Sequence, residues 1–152
     1  MRSLRRDLET AIATAAAARL GGSAIWRPSH QAPGGVAYEG LDGRNVAAVF
    51  GVVLDATTFP PGQRTRPGAG EVIAQTRCRV EIQRRVATLD GPGGVDTHTD
   101  DVCAILFAAL AATPRTDTSS GTHRLIQIRW AVLPGGEVHQ AVAEVLLTHI
   151  LG

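Results

Sequence analysis

Polar and apolar residues alternate through residues 77–83, with Cys78, Val80 and Ile82 on one side and Arg77, Arg79, Glu81 and Gln83 on the other. A period of two predicts a half-buried strand with one solvated face, extending over Val72 to Val86. Asp90-Gly91-Pro92-Gly93-Gly94 then breaks the chain. Beyond it the period becomes helical, and Val102, Ile105, Leu106, Ala109 and Leu110 predict a helix from Thr97 or Thr99 to Ala112. Thr97 or Thr99 is expected to cap this helix, with Asp100 and Asp101 favouring the dipole in its first turn. The remaining chain is expected to build a sheet around this strand, turn and helix.

Upstream, Leu4, Leu8, Ala11, Ile12, Ala15 or Ala16, and Leu20 form an apolar stripe that predicts a helix over residues 3–20, stopped by Gly21-Gly22. Residues 23–45 read as irregular, with a short strand at Ile25-Trp26-Arg27 and with Trp26 and Tyr38 as packing anchors. The apolar, β-branched run from Val46 to Asp55 predicts a central strand. Phe59 to Gly70 is a long Pro/Gly-rich loop carrying Arg64 and Arg66, read as a flap that orders on a partner. Thr113 to Gly121 reads as a polar linker. Flexible loops are thus expected near residues 28–45, 59–71 and 113–121. His123 to Val132 predicts a strand with Ile126, Ile128, Trp130 and Val132 on one side and Leu125, Gln127 and Arg129 on the other, followed by a turn at Pro134-Gly135-Gly136-Glu137. Val138 to Leu151 fits either a helix, through Val138, Val142, Val145, Leu146 and Ile150, or a strand, in which Ala141, Ala143, Val145 and Leu147 alternate with Val142, Glu144 and Leu146.

The chain has 152 residues, 44% of them apolar and 19% charged, which fits one globular domain able to bury roughly two thirds of its unfolded surface. Its net charge of +1 gives no footprint for general nucleic-acid or membrane binding. Every basic residue is arginine, so a lysine Schiff base and a Walker lysine are excluded. Cys78 and Cys103 have neither metal-site nor disulfide-framework spacing, and a reducing compartment is expected. The basic start Met1-Arg2-Ser3-Leu4-Arg5-Arg6 is followed by Asp7 and Glu9, which reads as an amphipathic helix and not as a targeting sequence. No apolar run of about 18 residues is present, so no membrane span is expected.

Asp96-Thr97-His98-Thr99-Asp100-Asp101 concentrates carboxylates and an imidazole, but helix capping accounts for the cluster better than metal binding, because His98 and Asp100 do not share a helix face. Gly91, Gly93 and Gly94 lack phosphate-loop spacing, and the adjacent aspartates would repel a phosphate. His30, His98, His123, His139 and His149 are scattered, although His123 and His139 flank the turn and could approach one another. No nucleophile elbow is present. Neither an active site, a metal nor a cofactor is expected.

The order of elements carries more than any motif. A short amphipathic helix leads into a Pro/Gly-rich segment, an apolar strand, a strand CRVEIQRRV, a helix TDDVCAILFAAL, a polar linker, and the ending RLIQIRWAVLPGGEVHQAVAEVLL. This order resembles the tail terminator family (tail completion, minor tail protein U-like) of long-tailed bacteriophages. The resemblance implies a single-domain α+β protein with two helices packed on one side of a mostly antiparallel sheet, and it favours a strand at Val138–Leu147. It also implies a non-enzymatic virion protein: a ring of identical subunits, usually a hexamer, that caps the tail tube and joins it to the head–neck connector or stopper protein. Implied partners are the ring's own copies, the tail tube protein, the neck protein and the tape measure protein, with DNA passing through without sequence-specific binding. The implied location is the head-proximal end of the tail, and the host cytoplasm during assembly. Arg64, Arg66, Arg77, Arg79, Glu81, Gln83 and Arg85 are then the expected protein contacts. Alternative readings are another neck component, an interaction module unrelated to phage, and a small oligomeric α+β enzyme with an interface site, which would cluster His, Asp or Arg in a cleft.

Overall fold

A computed structural model describes residues 4–22, 24–31, 34–59, 72–113 and 123–151. The chain runs through helix α1 (Leu4–Leu20), strands β1 (Ile25–Pro28), β2 (Val46–Thr58) and β3 (Val72–Arg85), a 3₁₀ turn (Val86–Leu89), helix α2 (Gly94–Ala112), and strands β4 (Arg124–Val132) and β5 (Val138–Leu151). The strands form one sheet in the order β1-β2-β3-β5-β4. Only β1 and β2 pair in parallel; the other three ladders are antiparallel. Both helices lie on one face of this sheet, so the architecture is the expected α+β arrangement.

The main core lies between the helices and that face. Leu8, Ala11, Ile12 and Ala16 of α1 and Val102, Ile105, Leu106, Ala109 and Leu110 of α2 meet Phe50, Val52, Cys78, Val80, Ile82, Ala141, Ala143, Val145 and Leu147. Trp26 completes the core near Phe50, at a ring-centroid distance of 6.5 Å. The small residues Ala11, Ala16, Ala141 and Ala143 let the layers approach closely. Gly21 and Gly22 stop α1 with φ of 74° and 78°, a conformation open to glycine without strain.

β2 is an interior strand, as its apolar run predicts, paired with β1 on one edge and β3 on the other, and it becomes exposed from Leu54 onward. Two expectations are corrected. α2 starts one turn earlier than predicted: Gly93, with φ of 75°, is its N-cap, and neither Thr97 nor Thr99 caps it. The Thr97 amide donates to the Gly93 carbonyl at 2.9 Å, and the Thr99 hydroxyl donates back to the Val95 carbonyl at 2.9 Å. Asp96 therefore occupies the first turn in place of Asp100 and Asp101, and Asp101 instead pairs with Arg19 of α1 at 2.6 Å. In β4, the register shifts between Leu125 and Gln127, so Leu125 and Ile128 pack on the core while Ile126 is 43% exposed. Ile126 thus leaves the set expected to share a side, because a bulge resets the alternation.

Val138–Leu151 is a strand. It pairs with β3 along its whole length, from Val72↔Leu151 to Arg85↔Val138, and with β4 on its other edge. Its alanine- and leucine-rich composition suits a helix, but two ladders and a fully buried Ala141/Ala143/Val145/Leu147 face override that local preference.

The second sheet face is covered at one end only. Residues 29–45 are irregular, as expected, yet their described part is anchored there: Tyr38 and Leu41 bury against Val49, Leu133 and Val138. Apart from Phe59 and Thr113, the predicted loops at 59–71 and 113–121 fall outside the described residues. No described helix is long and apolar enough to cross a membrane.

Candidate functional site

Opposed residues in an antiparallel ladder project to the same face, so the register of β2, β3, β5 and β4 maps the second face row by row. The first row carries Arg77, Leu146 and Arg124; the second Val53, Arg79, Glu144 and Gln127; the third Gly51, Glu81, Val142 and Arg129. The fourth row carries Val49, Gln83, Gln140 and Ala131, and the fifth Arg85 and Val138. The anchored segment 34–45 covers the last two rows and reaches Glu81 on the β3 side of the third, while the first two rows and the β5–β4 side of the third stay open.

This division sorts the expected contact residues. Arg77 is exposed on the open half and has no ion-pair partner among the described residues. Arg79 is half-buried, and its Nε donates to both oxygens of Asp55 at 3.1 and 3.0 Å. Arg85 clamps the covering loop, with Nε and Nη2 donating to Asp42 at 3.0 and 2.9 Å and Glu137 lying 3.6 Å from Nη1. The Arg85 hydrogen bonds hold the Asp42 carboxyl below its ordinary range. An open depression of about 550 Å³ lies here, lined by Asp42, Arg85, Val86, Ala87, Gly136 and Glu137, but its cation is already neutralised. Arg64 and Arg66 lie outside the described residues.

Glu81 and Gln83 correct the prediction of a solvated strand face: they are 3% and 0% exposed. The reason is the covering loop, which alternation within β3 cannot reveal. The Gln83 carboxamide accepts from the Tyr38 amide at 2.7 Å and donates to the Val36 carbonyl at 2.7 Å and to Gln140 Oε1 at 2.8 Å. Glu81 Oε1 and the Tyr38 hydroxyl are both buried without a hydrogen-bond partner. Burial pushes the Glu81 carboxyl up, against the opposing pull of Arg79, and burial followed by the Glu81 charge pushes the Tyr38 phenol up.

Sequence reasoning set Arg129 opposite the Trp130 side but did not name Arg124 or Arg129 as contacts. The β4–β5 register brings both to the open half, beside Leu146 and Val142, and neither has an ion-pair partner among the described residues. Only the pairing of β4 with β5 could have placed them there.

A second cluster lies on the helix face. His98 of α2 and His139 of β5 are 1% and 9% exposed, with ring centroids 5.4 Å apart and edge-on, and Trp130 lies 5.9 Å from His139. Arg84 Nη1 approaches His98 Nδ1 at 3.5 Å, the outer limit of a hydrogen bond. His98 Nε2 and His139 Nδ1 have no partner. Burial, then the neighbouring Arg84 and His139, depress His98 to about 4, so the pair is neutral at pH 7. His123, which flanks the same hairpin and could have approached His139, lies at its other end, where its Nδ1 accepts the Thr148 amide at 3.1 Å.

The sequence matches no family model and no curated protein. The site therefore has to be judged on its chemistry. Among the described residues no three His, Cys, Asp or Glu side chains are placed to hold a metal, and the guanidinium beside His98 disfavours a cation there. The interface-enzyme reading asked for clustered His, Asp or Arg in a cleft; His98, His139 and Arg84 do cluster, with both imidazoles buried and Arg84 half-buried beside them. Cys78 is fully buried, and burial pushes its thiol up to about 12, far from a reactive thiolate. The open half of the sheet is accessible, with three arginines that have no ion-pair partner among the described residues set among the half-buried Val53, Val142 and Leu146. Such a surface can bind another surface.

Proposed function

We propose that the protein is a structural subunit that assembles with its own copies into a ring, caps the tail tube of a long-tailed phage and joins it to the head–neck complex. The observation that carries this reading is the division of the second sheet face. Its covered half holds a buried polar network, while its open half carries Arg77, Arg124 and Arg129, without ion-pair partners among the described residues, beside apolar side chains. The two-helix α+β architecture agrees with what the family resemblance implies. In this role the partners are further copies of the chain, the tail tube protein, the neck protein and the tape measure protein, and DNA crosses the ring without base readout. The protein belongs at the head-proximal end of the virion tail and assembles in the host cytoplasm.

Native mass spectrometry of the protein alone and with the tail tube protein tests this role. A closed oligomer that binds tube ends is the expected result. Binding to the portal side and not to the tube reassigns the protein to the neck, and a monomer under both conditions refutes the ring.

A further inference from the structure

The outward side of α2 is as unpartnered as the open half of the sheet. Asp96, Asp100, Ala104, Phe107 and Ala111 recur at helical spacing opposite the buried His98, Val102, Ile105 and Ala109. Phe107 is 62% exposed, the highest value among the exposed large apolar side chains described. Asp96 and Asp100 are exposed and have no ion-pair partner among the described residues. The stripe is therefore acidic in its first half and apolar in its second.

The open half of the sheet has the matching character on the opposite side of the molecule. Leu146 and Val142 lie on that face on either side of Glu144, whose carboxylate is engaged by Gln127 at 2.9 Å, and they are flanked across the β4 ladder by Arg124 and Arg129 and, at Leu146, across the β3 ladder by Arg77. One surface offers two exposed carboxylates and an exposed phenyl ring, and the other offers three exposed guanidinium groups around half-buried aliphatic side chains, all five charges without an ion-pair partner among the described residues. Helix layer and sheet face point away from each other, so one copy cannot satisfy both surfaces on itself.

The geometry points to a second copy of this chain as the occupant: the α2 stripe of one protomer docks on the open sheet half of the next. Asp96 and Asp100 meet the Arg124/Arg129 edge, and Phe107 covers Leu146 and Val142. The two surfaces differ, so the contact is heterologous and repeats until it closes into a ring or continues as a filament. Opposed charges set its register and speed encounter, while the apolar centre supplies the desolvated area. This assignment rests on the ring reading and names the surfaces that would build the ring.

Charge exchange tests it. The paired substitution Asp96→Arg/Asp100→Arg reverses the helix stripe, and Arg124→Glu/Arg129→Glu reverses the sheet edge. All four positions are exposed and have no ion-pair partner among the described residues, so each variant is expected to keep the wild-type circular dichroism and a cooperative unfolding transition, with the helix variant's midpoint somewhat lower because Asp96→Arg places a cation in the first turn of α2. Each variant alone is expected to sediment as a monomer where the wild type assembles. An equimolar mixture of the two is expected to assemble again, with even-numbered species only, because each variant then finds its complement in the other. Assembly of either folded variant alone, a mixture that stays monomeric, or a wild type that stops at a two-fold dimer overturns the interface. A wild type that is monomeric throughout overturns the ring itself, which separates the two failures.

Discussion

The Gln83 carboxamide engages three partners at once, the Tyr38 amide, the Val36 carbonyl and the Gln140 side chain, all at 2.7–2.8 Å. Removing it leaves the buried Tyr38 amide and Gln140 carboxamide with their bonds unmade, at a cost of about 1–3 kcal/mol for a buried group left without a partner, whereas the Val36 carbonyl belongs to an exposed residue. Gln83→Ala is therefore expected to destabilise by about 3 kcal/mol, read from the urea midpoint, and to expose residues 34–45 to proteolysis before global unfolding. His98 makes the stability depend on acid. Its folded value lies near 4 against an ordinary 6.5, so between these values the unfolded chain binds a proton that the folded chain refuses. Stability then falls as pH drops from 6.5 towards 4, by up to about 3 kcal/mol at 1.36 kcal/mol per unit. Burial depresses His139 and His149 in the same direction. The raised Glu81 acts oppositely, its contribution fading as pH rises through its folded value. Arg84 from β3, His139 from β5 and Asp101 on α2 are the charged or titratable groups around His98, and His98→Leu is expected to flatten the slope of unfolding midpoint against pH between 6.5 and 4. At this scale the sequence identified packing residues well, Trp26 and Tyr38 among them, because large aromatics rarely lack a burial partner. It could not identify the His98–His139 contact, since nothing local to α2 says which strand lies beneath its first turns.

The boundary between β3 and α2 depends on a glycine that is neither a phosphate cradle nor a cap. A Cβ at Gly94 would fall inside the van der Waals envelope of the Leu89 carbonyl, in the 3₁₀ turn that precedes the helix. Gly94→Ala has to push that turn off the helix start, which costs about 1–3 kcal/mol as an overpacked contact. At about 2–4 °C per kcal/mol for a chain of this size, thermal denaturation is expected to shift down by several degrees. Strong periodicity made α1, β2, β3 and β4 legible within a few residues. The ends were harder. Threonines and aspartates near a helix start can cap it, or, as Thr97, Thr99 and Asp101 do, serve one turn inside it. β5 was undecidable from its own composition, and the ladders to β3 and β4 settle it.

At the scale of the molecule, two helices on one side of a five-stranded sheet leave the α2 stripe and half of the second sheet face without covering among the described residues. The expected layout was readable because alternating and helical periods rarely mislead over long elements. The extent of the open face was not, because the loop that closes its other half is irregular and its anchor, Gln83, reads as a surface residue. Arg77 remains from the anticipated contacts; Arg79 and Arg85 are held by Asp55, Asp42 and Glu137, and Glu81 and Gln83 are interior. Self-assembly is the claim on which the proposed role depends, and the native mass of the purified wild-type protein at micromolar concentration tests it most directly. The expected result is one closed species at an integer multiple of the 15.9 kDa protomer, with a hexamer implied by the family resemblance. A spectrum dominated by the 15.9 kDa protomer would contradict it.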